Sequence, residues 1–127
     1  MSQPQSLDEL ARDYEEDLRY LIYQVSSKDY ESLINSFYIL TDLFCLIQKL
    51  EKLEQCRVNV PSPTDITNPT VLEQLHIDPA EKRKVREFLR YIENNKGTNF
   101  EQLISDRMKE YDCDPEAARS KLRAAGA

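Results

Sequence analysis

Glu73-Gln74-Leu75-His76 is the stretch of this chain whose residue types and spacing come closest to metal chemistry. A carboxylate and an imidazole three residues apart share one helix face, and two such units with further glutamates hold paired iron or manganese ions. His76 is the sole histidine, so one chain lacks the second unit. The plainer reading is a histidine near a helix C-terminus, where partial positive charge is stabilising. Asp112-Cys113-Asp114-Pro115-Glu116 gathers three acids, yet a calcium loop also needs a glycine at its sixth position and a glutamate at its twelfth. It reads as a helix N-cap. Asp13, Glu15, Glu16 and Asp17 could offer paired carboxylates, but they belong to the polar face of a helix and read as solvated.

Nucleophilic chemistry has less to build on. One histidine cannot support a triad with any choice, and two glycines cannot form a phosphate-cradling loop. Cys45 falls in an apolar run and reads as a small hydrophobe. Cys113 reads as the most exposed thiol, with no adjacent His or Lys to favour the thiolate. The residues therefore predict a non-enzyme with no catalytic set, no metal and no cofactor.

Two surfaces remain. Lys82, Arg83, Arg86 and Arg90 fall within a 100° arc of one helix and, with Lys84 nearby, make a basic ridge in an acidic protein. The ridge could meet phosphates or an acidic partner; the alternative is a solvated face laced by an Arg83–Glu87 pair. No aromatic is interleaved for base stacking, which weakens the nucleic-acid reading. The second surface is apolar: Leu46, Leu50 and Leu53, with Tyr20 and Tyr23, are the expected partner-binding residues.

The elements that must position these side chains are helices. Residues 28–56 carry two apolar stripes, Tyr30, Leu33, Phe37, Leu40, Phe44, Ile47 and, on another side, Ile39, Leu43, Leu46, Leu50, Leu53. A helix apolar nearly all round is wrapped by neighbours, so this one reads as a central post. Ahead of it, Ser6 and Glu9 form a capping box, and Leu7, Leu10, Ala11, Tyr14, Leu18, Leu21, Ile22 and Val25 make one stripe. Ser26-Ser27 ends this helix and, with Asp29, starts the next, and so short a link makes the two helices antiparallel. At 1.5 Å per residue the first helix is about 28 Å long and the second about 43 Å, so the first covers the second only to about Leu46. Leu50 and Leu53 then need a partner, either the C-terminal helices or a second copy of the chain.

Val60-Pro61-Ser62-Pro63 cannot be helical, and the stretch from Arg57 to Thr67 is expected as a loop. Asn68-Pro69 and Asp78-Pro79 each pair an N-cap with proline at the first helical position. Val71, Leu72 and Leu75 face inward from the first of these helices, and Val85, Phe88, Leu89 and Ile92 from the second. Gly97 is placed for a left-handed helix stop. Thr98 and Glu101 form a capping box for Phe100, Leu103, Ile104, Met108 and Tyr111, and Asp114-Pro115 starts a last helix bearing Ala118 and Leu122. The two final helices have a helix–turn–helix-like layout, with Glu116, Arg119, Ser120 and Arg123 available but acids crowding the end that would enter a groove.

The sequence thus predicts an all-α fold: an antiparallel helical hairpin with a long central second helix, packed with three or four shorter C-terminal helices. Residues 1–127 are expected as one domain, the hairpin over 6–56, a proline-rich loop over 57–67 and a short-helix module over 68–127. Charged residues at 31% and hydrophobic ones at 40% suit a soluble globular chain. Asp42 and Gln48 interrupt the best apolar run, so no membrane span is expected. The start of the chain carries no secretory pattern, and three scattered cysteines point to reduced thiols and a cytoplasmic location. Net charge is −6, with 13 acidic and 6 basic side chains in residues 1–76, which disfavours nonspecific nucleic-acid binding outside the C-terminal third. The expected function is a protein-interaction module (adaptor, assembly factor or regulator) acting as a homodimer; nucleic-acid binding through the ridge and the last helices is the alternative.

Overall fold

The computed structural model describes residues 6–26 and 29–110. Among them the chain is all-α, with no strand: α1 (Leu7–Tyr23), α2 (Tyr30–Glu54), α3 (Pro69–Gln74), α4 (Pro79–Lys96) and α5 (Phe100–Glu110). Short 3-10 turns at Gln24–Ser26 and Pro63–Thr67 complete it. The expected last helix and its helix–turn–helix layout, with Cys113, lie outside the described residues.

The caps follow the residue types. Ser6 accepts a hydrogen bond from the Glu9 N–H, Asp29 from Ser32, Asn68 from Thr70 and Asp78 from Glu81, each satisfying an amide that the helix leaves unpaired. One cap differs by a residue from expectation. Asn99, not Thr98, caps α5 by accepting from the Gln102 N–H at 2.7 Å, and the Glu101 carboxylate instead accepts from the Thr67 hydroxyl. The stretch expected as plain loop ends in the second 3-10 turn, where Ser62 and Asp65 close a capping box and Ile66 is sunk into the core.

α1 and α2 form the hairpin, with a register that the length argument missed. Tyr14 packs against Phe44 with ring centres 5.8 Å apart, which places the start of α1 opposite residue 51 rather than Leu46, about five residues further along. Asp8 accordingly lies near enough to Cys56 to act on its thiol. The shift arises because the first turns of α2 are occupied from elsewhere: Tyr30 stacks on Tyr91 at 4.3 Å, and Phe37, Phe88 and Phe100 form a triangle of rings 5.0–5.9 Å apart. α4 thus takes the place beside the start of α2, and aromatic side chains fill the gap between the helices.

That register corrects the expected binding residues. Leu50 is 3% exposed and Leu46 6%, both enclosed within one chain. One turn before Leu46, Arg107 of α5 forks onto the Asp42 carboxylate at 2.8 and 2.9 Å and lies over the Tyr38 ring. Along the second stripe Leu43 is half-buried, and only the two ends are well exposed: Ile39 at 68% and Leu53 at 40%. By length and composition α2 does reach the threshold for crossing a bilayer, despite Asp42 and Gln48, but 56% of its most apolar window is buried against the rest of this fold. That matches the central helix of a helical domain.

Candidate interaction surface

The metal-like unit is taken apart by the backbone. His76 adopts φ +59°, the left-handed residue just past α3, and its N–H bonds to the Glu73 carbonyl while the Ile77 N–H bonds to the Leu72 carbonyl. This is a Schellman stop, closed by buried Leu72 and Ile77. His76 is therefore off the helical face that Glu73 occupies, and Glu73 faces Lys82 at 3.6 Å. The Tyr23 hydroxyl donates to the His76 carbonyl, tying this turn to the end of α1. A glycine is the usual residue at such a stop, which is why the sequence alone gave no warning of it.

The basic ridge is only partly available. Lys82 is drawn to Glu73, and Lys84 bonds to Glu81 at 3.3 Å. Arg83, Arg86 and Arg90 are exposed and make no ion pair among the described residues, so the expected Arg83–Glu87 lacing is not formed. Among the aromatic candidates Tyr20 is 64% exposed and Tyr23 40%. They sit at the C-terminal end of α1, far along the chain fold from Leu53 at the other end of the hairpin.

On α1, Asp17 has its carboxyl held above the usual range, first by partial desolvation and then by Asp13 and Glu16. At the far end of α2 the Cys56 thiol is likewise raised, by desolvation and then by the carboxylates of Glu54, Asp8 and Glu51. A thiol so placed stays protonated near neutrality and is a poor nucleophile. Cys45 is buried.

The feature that residue spacing did not reveal is a groove of about 480 Å³. Phe44 and Leu75 form its floor, both buried, and half-buried Val71 stands on the α3 side. Its long wall is the stretch from Arg57 to Pro61. Pro61 and Pro63 hold that wall extended, since the residue before each proline is steered away from helical geometry. The Tyr14 hydroxyl donates to the Pro61 carbonyl at 2.6 Å, the Ser62 N–H donates to Asp65, and the Cys56 N–H donates to the Glu51 carbonyl, so both ends are fastened. Tyr14 is fully buried; burial pushes its phenol well above the ordinary value, and Asp65, Cys45 and Glu15 add to it. Three carboxylates, Glu15, Glu51 and Asp65, line the groove against one guanidinium, Arg57. A larger groove of about 920 Å³ runs beside the last turns of α2 and meets Met108 and Lys109, next to the limit of the described chain.

No known protein family, curated protein or solved structure matches the chain.

Proposed function

We propose that this chain is a non-catalytic helical interaction module that docks a protein partner at the groove between α1, α2, α3 and the Arg57–Pro61 wall. The observation that carries the reading is the combination of an apolar floor with a wall fastened at both ends. A pre-formed concavity of a few hundred Å³ with a few convergent polar groups is the usual form of a binding site. Little ordering remains to be done when a ligand arrives. Leu46 and Leu50, enclosed in one chain, have no part in the proposal, and neither does a homodimer built on them.

The test replaces half-buried Val71 by glutamate. Partners captured from the native host by the full chain, identified by mass spectrometry, should be lost with Val71→Glu while its helical circular dichroism is kept. A partner set unchanged by Val71→Glu would end the groove reading. The second reading, an anion-binding ridge, is favoured by one observation: Arg83, Arg86 and Arg90 are exposed and make no ion pair among the described residues. It predicts a low-salt gel shift with mixed DNA and RNA that disappears when all three become glutamate.

A further inference from the structure

The wall of the groove has an unusual main chain. None of the N–H or C=O groups from Arg57 to Val60 is hydrogen-bonded within the described residues. Backbone groups are strong donors and acceptors, and an extended run of them left open is a template for another strand. The side chains show the twofold repeat of such a run: Val58 and Val60 are half-buried against the core, whereas Arg57 and Asn59 are exposed. Because this stretch lines the groove, its unbonded main-chain groups lie beside the space that a ligand would occupy.

Resting on the groove reading, we propose that the occupant is an extended peptide segment that adds as a strand along Arg57–Val60 and alternates apolar with basic side chains. The main chain supplies hydrogen bonds, and alternate side chains supply selectivity, as in other strand-addition sites. One set would drop towards Phe44 and Leu75. The other would meet Glu15, Glu51 and Asp65, whose charges outnumber Arg57 three to one. The same excess repels phosphates, so a nucleic acid or an anionic bilayer does not suit this groove.

The experiment uses the full chain labelled with nitrogen-15 and three capped seven-residue peptides followed by amide shifts. The first alternates lysine and valine, the second is that peptide N-methylated at alternate backbone nitrogens, and the third alternates glutamate and valine. The lysine peptide should give saturable shifts at residues 57–60. Binding should weaken about tenfold for the N-methylated form, the scale of one or two lost neutral amide hydrogen bonds, and about tenfold in the Glu15→Gln, Glu51→Gln double variant, the scale of one or two lost charge-assisted contacts. Asp65 is left intact because it caps Ser62. Equal binding by the N-methylated peptide would overturn the added strand. Equal binding by the glutamate peptide at these amides would overturn the basic occupant while leaving the groove as a docking site. If no peptide moves these amides but Val71→Glu still abolishes partner capture, the inference fails and the docking proposal survives it.

Discussion

Leu50 decides between a helix face completed inside one chain and a face completed by a second copy. Replacing it by alanine removes three carbons from a site that is 3% exposed. At about 0.8 kcal/mol per buried methylene, plus a cavity term because the site lies between helices that cannot fully close, the loss is about 3 kcal/mol. Leu53→Ala, one turn on and 40% exposed, should cost roughly half of the transfer term and leave no cavity, about 1 kcal/mol. Urea unfolding followed by circular dichroism gives both values, and sedimentation at two concentrations reports assembly. The expected result is a large loss for Leu50→Ala, a small one for Leu53→Ala, and no concentration dependence in either. A Leu50→Ala protein of native stability, in which a parent dimer has become a monomer, would refute the enclosure of this leucine and restore the intermolecular reading.

His76→Gly should stabilise the protein by about 1 kcal/mol, because glycine takes the left-handed conformation of the α3 stop without the strain of a Cβ; thermal unfolding measures it. Gly97→Ala runs the other way at φ +69°: nothing lies within 4 Å of the added methyl, so the cost is backbone strain alone, about 1 kcal/mol. Tyr14→Phe removes the hydroxyl that bonds to the Pro61 carbonyl and should cost about 1 kcal/mol at pH 7. Because the folded phenol titrates above the unfolded one, Tyr14 contributes fully below pH 10 and loses its contribution as pH rises beyond that. The urea midpoint of the parent should therefore fall more steeply above pH 10 than that of Tyr14→Phe, and parallel curves would contradict the burial of this hydroxyl. Asp42→Asn keeps the shape but removes the charge from the Arg107 fork, and a loss of about 1 kcal/mol that shrinks in high salt is expected from equilibrium unfolding.

Local chemistry determined the elements. Ser6, Asp29, Asn68 and Asp78 each announce a helix start, because a short acceptor side chain satisfies amides that a helix leaves open whatever lies beyond it. Pro69 and Pro79 fix the first helical position for a similarly local reason, and Gly97 marks a stop. The apolar repeat from Leu7 to Val25 likewise predicted the buried face of α1 and of the turn that follows it. Tertiary structure decided the rest. Helix length could not foresee that Tyr30 and Phe37 would be claimed by rings from α4 and α5, a contact between residues more than fifty positions apart that slides α1 along α2 and encloses Leu50. Nor could residue spacing show that His76 ends a helix instead of continuing it, since a Schellman stop depends on hydrogen bonds and on Leu72 meeting Ile77. The groove belongs wholly to this second class. Phe44, Val71, Leu75 and the Arg57–Pro61 wall come from three separate elements, and only packing, which is set by burial over the whole chain, brings them to one place.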